Sequence, residues 1–234
     1  MRMTHFQPAA LVPAYRCEAT VAEVVRGLRR HVDTVLVVDD GSGDATGVRA
    51  AEAGARVLTR AVNGGKGTAV RDGLADLLSG PVTHVAFVDA DGQHAPEELP
   101  ALLAAARDGA DFVIGSRLKS RGEMPGKNYW ANTIGDKVLS RMTGLPVEDG
   151  QSGYRLIAAG LLRGLPLTAR RYAIENEILI KTAPRVRRLA VVPVRTIYGS
   201  RSHYRPFRDT WITSWLSVWY KTLGSPEAGG MLPR

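Results

Sequence analysis

The feature that most constrains this chain is a repeated alternation along its first half. A short apolar run ends in polar residues, a helical pattern follows, and another apolar run begins. Residues 9–13 form the first run and stop at proline, and residues 19–31 place Val21, Val24, Val25 and Leu28 on one helical face. The β-branched run 34–38 ends at Asp-Asp-Gly and predicts a buried strand. Residues 45–53 predict a helix and 56–58 a short strand. The cycle then repeats as helix 67–78, strand 84–88, helix 96–107 and strand 111–115. This β-α-β-α order predicts an α/β fold: a mostly parallel central sheet flanked by helices on both faces. Ligands of such sheets bind beyond the carboxyl ends of the strands. The polar residues gather there, with Asp39-Asp40, Asp89 and Asp91, and Ser116-Arg117 each following a strand.

Past residue 120 the rhythm breaks. Residues 127–142 predict a helix, 149–157 a polar turn leading into a strand or helix, 172–182 a helix and 190–198 an extended segment. A basic, hydroxyl-rich loop spans 199–206. Residues 209–223 predict an amphipathic helix in which Trp211, Trp215 and Trp219 recur every four residues, beside Ile212, Leu216 and Leu223. Tryptophans so spaced suit a membrane interface, or a helix packed on the domain or a second subunit. The Gly- and Pro-rich residues 224–234 predict a frayed tail. The expected organisation is a catalytic domain over 1–208, the amphipathic helix and the tail.

The 234 residues are 44% apolar and 23% charged, an ordinary globular balance that argues against disorder. The single cysteine, Cys17, has no partner for a disulfide or a metal cage. The N-terminus does not read as a signal peptide, and no run approaches a membrane span. These features predict a cytoplasmic protein, or one peripheral to the cytosolic face of a membrane. The net charge is +8. Residues 178–208 contain no Asp or Glu and carry Lys181, Arg185, Arg187, Arg188, Arg195, Arg201, Arg205 and Arg208, which equal the whole excess. Such a stretch suits phosphate groups, on a ligand or a membrane surface. No nucleic-acid motif accompanies it. A merely solvated basic face is the plain alternative.

Three segments carry chemistry. In Asp89-Ala90-Asp91-Gly92-Gln93, alternate residues after a strand end can point to one side of an extended turn. Two carboxylates so placed bind a hard divalent cation, and Gln93 can add a neutral oxygen or hold a water. The same residues could instead be an Asp-Gly turn with helix-capping acids. In Asp39-Asp40-Gly41-Ser42, the acids can accept hydrogen bonds from a base or ribose, while Asp44 can cap the next helix. Gly64-Gly65-Lys66-Gly67 echoes a phosphate loop but lacks the hydroxyl after the lysine, which excludes a P-loop. A lysine at a glycine-rich helix start can still approach a nucleotide.

Together these segments resemble family-2 glycosyltransferases of the GT-A fold, nearest to dolichol-phosphate mannose synthases and bacterial polyprenyl-phosphate glycosyltransferases. The likeness runs through Val12-Pro13-Ala14-Tyr15 with Glu18, Val38 to Ser42, Gly65-Lys66-Gly67 and Asp89 to Gln93. It continues through Gly115-Ser116-Arg117, Gln151 to Arg155 and the loop around Ser202-His203-Tyr204. It implies that Pro13, Ala14, Tyr15, Glu18, Asp39, Asp40, Lys66, Asp89, Ala90 and Asp91 line the nucleotide pocket. Asp89, Asp91 and Gln93 would hold Mg²⁺ or Mn²⁺ and the diphosphate. Asp91, Arg117 and Arg155 would serve catalysis. Arg117, Lys127, Arg201, Ser202 and His203 would meet acceptor or phosphate groups. The chain departs from the family where Arg16 and Cys17 precede Glu18, where Lys127 stands for a frequent arginine and where His203 stands for a frequent lysine.

The implied reaction is an inverting, in-line displacement at the anomeric carbon of a GDP- or UDP-sugar. With a polyprenyl or dolichyl phosphate as acceptor, the attacking oxygen is already anionic and no strong base is required. With a soluble hydroxyl acceptor a base is useful, and Asp149, Glu175 and Glu177 are the candidates. A nucleotidyltransferase would carry a glycine- and arginine-rich loop where Pro13-Ala14-Tyr15 stands.

Overall fold

A computed structural model describes residues 6–117, 126–170 and 173–195, with the side chains of 126–134 left undescribed. The strands are β1 (Pro8–Ala14), β2 (Thr34–Asp39), β3 (Arg56–Thr59), β4 (His84–Phe87), β5 (Phe112–Ser116), β6 (Arg155–Ala158) and β7 (Leu189–Pro193). The helices are α1 (Val21–Arg29), α2 (Thr46–Glu52), α3 (Lys66–Leu77), α4 (Leu99–Arg107), α5 (Gly126–Thr143), α6 (Ala159–Leu162) and α7 (Ile174–Thr182). One seven-stranded sheet runs β3-β2-β1-β4-β6-β5-β7. β1 pairs in parallel with β2 and β4, and β5 with β7, while β6 runs antiparallel between β4 and β5.

Two apolar layers follow from the two-residue period of the strands. Ala10, Val12, Val35, Val37, Ala86, Val113 and Leu156 face α1 and α4. Ala9, Leu11, Leu36, Val38, Val85, Phe112 and Ile157 face α3 and α7. Strands buried on both faces explain the continuous apolar runs in the sequence. The α3 layer packs close at Gly73, where a Cβ would lie 2.3 Å from Leu11 Cδ1 and 2.9 Å from Val38 Cγ2.

Three expectations are refined. The helix expected over 96–107 begins as a 3₁₀ turn, Pro96–Glu98, before α4. Pro100 has no N–H to give the Pro96 carbonyl, so Leu99 N–H takes that carbonyl in the tighter pattern. The turn over 149–157 resolves into β6, and its reversed direction breaks the parallel order. Among the described residues the basic stretch is spread over separate parts of the fold. Asp111, at the entry to β5, accepts from the backbone N–H groups of Arg187 and Arg188, at the sheet edge opposite the strand carboxyl ends. Lys181 pairs with Glu177 (2.7 Å), and Arg195 with Glu98 (2.6 Å). Arg201, Ser202, His203, the tryptophan helix and the tail lie outside the described residues, as does the side chain of Lys127.

The order of the sheet places the site. The chain moves from β1 through β2 to β3 on one side, then crosses by α3 to β4 on the other. The carboxyl ends of β1 and β4 therefore flank a topological switch point, the place where ligands of such sheets sit.

Candidate active site

β4 ends at Phe87, and Asp89 follows in a turn that Gly92 closes with φ 76°. The turn is held from three sides. Thr20 Oγ1 donates to the Ala90 carbonyl (2.6 Å), Gln93 N–H donates to Asp91 Oδ1 (3.0 Å), and His94 Nδ1 accepts from Asp89 N–H (3.4 Å). His94 is buried and stacks on Tyr154 with centroids 5.1 Å apart. Burial lowers its pKa to about 4, so the ring is neutral and accepts through Nδ1.

The charges of this turn are strongly coupled. Lys66, the first residue of α3, places Nζ 2.5 Å from Asp89 Oδ1 and 2.6 Å from Glu175 Oε1. Burial acts to lower the Lys66 pKa, but the Asp89 and Glu175 charges outweigh it and hold the ammonium well above its ordinary value. Burial acts to raise the Asp89 pKa, and Lys66 overcomes that and holds it low. Burial, then the charge of Asp89, raises the Asp91 pKa. Two neighbouring carboxylates in that state gain from a cation between them. Among the described residues no three His, Cys, Asp or Glu side chains converge as a metal cage. The set expected from the sequence is two carboxylates and the Gln93 amide. That set fits Mg²⁺ or Mn²⁺ completed by water and phosphate oxygens, and it does not fit a closed structural site.

The residues expected on the nucleotide side surround the ends of β1 and β2. Tyr15 is exposed beyond Pro13 and buried Ala14, with the Arg16 guanidinium 5.2 Å from its ring centroid. Arg16 takes a left-handed φ of 53°, and its N–H donates to Ser42 Oγ (2.9 Å), while Cys17 N–H donates to Thr46 Oγ1 (2.9 Å). The two residues preceding Glu18 are thus fastened to the next βα turn. Glu18 Oε2 accepts from Ala45 N–H (3.2 Å). Asp39 closes its own turn by accepting from Ser42 N–H (3.1 Å). Asp40, 2% exposed, accepts from Gly64 and Gly65 N–H and meets Arg60 Nε at 3.2 Å. It therefore anchors the glycine loop that starts α3. Gly67 lets α3 approach the 169–170 backbone, where its N–H donates to the Arg170 carbonyl (3.0 Å).

On the opposite wall Arg117 is locked to Asp149. Its Nε and Nη2 donate to Asp149 Oδ2 (2.8 Å) and Oδ1 (2.7 Å), and its backbone N–H adds a third bond (2.8 Å). Burial acts to raise the Asp149 pKa, and Arg117 overcomes it. Asp149 sits at a left-handed φ of 54°, fixed because Asp136 accepts from Asp149 and Gly150 N–H, both at 2.8 Å. Burial raises the Asp136 pKa to about 6.

Arg155 departs from the role that the resemblance implies. Only 2% exposed, it donates through Nε to the Ser152 carbonyl (2.8 Å), through Nη1 to the Glu175 carbonyl (2.6 Å) and through Nη2 to the Gly150 carbonyl. In this arrangement it braces two backbone segments rather than facing a phosphate. Burial lowers its pKa to about 10, still cationic at neutral pH. Glu177 points inward as well, accepting from Thr168 and Ala169 N–H and from Lys181. Sequence reasoning missed the acceptor role of His94, the support from Asp136 and the grip of Glu175 on Lys66. His94 lies in the same turn as Asp89, but its spacing does not show that its ring faces the Asp89 N–H. Asp136 and Glu175 lie on segments remote from the residues they hold.

The family model described as "Glycosyl transferase family 2" matches residues 9–164. The chain belongs to that family. Glycosyltransferase AglJ of Haloferax volcanii is 32% identical over 85% of this chain and 67% of its own length. Undecaprenyl-phosphate mannosyltransferase of Micrococcus luteus is 35% identical over 79% of this chain and 81% of its own. A solved structure of glucosyl-3-phosphoglycerate synthase from Mycobacterium tuberculosis, in complex with Mn²⁺, UDP-glucose and phosphoglyceric acid, superposes with a TM-score of 0.70. It is 27% identical and spans 92% of this chain and 78% of that one. This family-2 chain is therefore a glycosyltransferase with the GT-A fold, and the carboxylate turn follows the carboxyl end of β4.

Proposed function

We propose that this glycosyltransferase moves a sugar, with inversion, from a GDP- or UDP-sugar to a polyprenyl or dolichyl phosphate. Asp89, Asp91 and Gln93 would hold Mg²⁺ or Mn²⁺ beside the donor diphosphate. When bound, that ion supplies Lewis acidity that stabilises the departing diphosphate. Pro13, Ala14, Tyr15 and Glu18 border the nucleoside, with Asp39 and Asp40 fixing the turn and glycine loop beneath it. Arg117, oriented by Asp149, meets the acceptor phosphate and positions its oxygen. Lys127, Arg201, Ser202 and His203 add phosphate contacts, and Arg155 supports the site from behind.

The observation that carries the phosphate acceptor is that the three acids the sequence offers as general bases are each engaged by a cation. Asp149 is bound by Arg117, Glu175 by Lys66 and Glu177 by Lys181. An acceptor that is already anionic needs none of them. Such an acceptor lies in a membrane, which supports reading the enzyme as peripheral to the cytosolic face, with residues 209–223 meeting the interface. A soluble hydroxyl acceptor is the second reading, favoured by the phosphoglyceric acid in the solved relative. Transfer of radiolabelled sugar to polyprenyl phosphate, to the matching polyprenol and to phosphoglyceric acid separates the readings. Product is expected with the lipid phosphate alone. Faster transfer to either hydroxyl acceptor would overturn the proposal.

A further inference from the structure

We propose that Lys66 is an internal counter-ion: it neutralises Asp89 while the donor site is empty, and passes to Glu175 and the donor diphosphate as donor and metal load. This rests on the reading of Asp89 and Asp91 as metal ligands. Three segments converge on one ammonium: the start of α3, the turn after β4 and the first turn of α7. The Lys66 side chain is 17% exposed and touches both carboxylates, so it is a fixed charge rather than a solvent-borne one. A divalent ion approaching Asp89 would meet that ammonium at contact distance. Both cannot keep the same carboxylate oxygen.

Glu175 supplies the place to which Lys66 withdraws. Its Oε1 already holds the ammonium, and its Oε2 is buried without a hydrogen-bond partner, a second acceptor within the same carboxylate. The Glu175 carbonyl accepts from Arg155 Nη1 at 2.6 Å, which fixes the backbone that carries this acceptor. Charge balance favours the handover. Asp89, Asp91 and Glu175 present three negative charges against one from Lys66. A divalent ion on the first two, with Lys66 on the third, balances these three carboxylates before the diphosphate adds its own charge. The flexible lysine stem allows a short displacement that a planar guanidinium would not make.

Lys66 and Glu175 are thus positioning residues with opposite effects on metal affinity. Mn²⁺ binding measured by electron paramagnetic resonance, with and without UDP, tests this. Without nucleotide, Lys66→Met should bind Mn²⁺ more tightly than the unmodified chain, on the order of tenfold. Glu175→Gln should bind it more weakly, because Lys66 then holds Asp89 without competition. Saturating UDP should shrink both differences. Unchanged or weaker Mn²⁺ binding by Lys66→Met, in a protein that still melts cooperatively, would overturn the handover. Should Lys66→Met fail to fold, unchanged or tighter binding by Glu175→Gln would overturn it alone. Absence of Mn²⁺ binding by the unmodified chain even with UDP would instead sink the metal reading.

Discussion

Substituting Gly67 by alanine probes how α3 is docked under the site. A Cβ there would lie 2.1 Å from the Ala169 carbonyl oxygen and 2.7 Å from its carbon, both backbone atoms. Relief requires about 1 Å or more of separation to reach ordinary contact distances. That motion strains two hydrogen bonds, Gly67 N–H to the Arg170 carbonyl (3.0 Å) and Arg71 Nη1 to the Ala169 carbonyl (2.8 Å). Overpacking of this kind costs ~1–3 kcal/mol, and each weakened hydrogen bond adds up to about 1 kcal/mol. Alanine returns up to ~1 kcal/mol in helix propensity. The net loss is roughly 2–3 kcal/mol, a melting-point drop of about 4–12 °C for a chain of this size. The displaced segment leads to Glu175, so UDP binding in the presence of Mn²⁺ should weaken too. Gly160→Ala is the control, since nothing lies within 4 Å of its Cβ position. Denaturant unfolding and UDP calorimetry on both variants provide the readout. A Gly67→Ala protein as stable as the unmodified chain would refute the close-approach reasoning.

Other expectations follow from the opposite wall. The Asp136 pKa rises from 3.8 to about 6 in the fold. Below pH 4 both states hold its proton, and between these values only the folded state does, so its contribution to stability falls as pH rises through that window. At 1.36 kcal/mol per pH unit, the loss is on the order of 3 kcal/mol. The stability of Asp136→Asn relative to the unmodified chain should therefore improve by that amount from pH 4 to pH 6.5 in denaturant titrations, and a pH-independent difference would contradict it. Asp149→Asn leaves Arg117 without its buried partner. It should cost about 3 kcal/mol and lower transfer to polyprenyl phosphate, whereas near-normal stability would show that the pair is not structural. Flotation with anionic liposomes at low salt should carry the full chain to the lipid fraction, and removal of residues 209–234 should abolish it. Equal flotation of both would count against the interfacial helix.

The fold was legible where one local signal decided it. The runs at β1, β2 and β4 announced buried parallel strands, and the acids after them marked the ligand edge. β6 was not legible in direction, because its antiparallel pairing with β4 and β5 depends on partners that are remote in sequence. The apolar spacing after Gln93 predicts a helix but does not show that Pro100 turns its start into the tighter 3₁₀ pattern. Within the site, motif spacing pointed to Asp89, Asp91 and Lys66 but was silent on what each one touches. The family resemblance implies a catalytic role for Arg155, and only its burial and three carbonyl partners show the bracing contacts. The acid-free run 178–208 suits phosphate groups by its charge alone, and only the fold shows that Arg187 and Arg188 stand at the sheet edge opposite the strand carboxyl ends.

The most direct test of the metal–diphosphate reading is calorimetric titration of UDP and GDP into the intact chain and into Asp91→Asn, each with Mn²⁺ and with EDTA. One nucleoside diphosphate should bind the intact chain tightly only when Mn²⁺ is present, and Asp91→Asn should lose that gain while keeping its melting temperature. Equal binding in EDTA, or a full Mn²⁺ effect in Asp91→Asn, would contradict the claim that these carboxylates seat a cation on the leaving group.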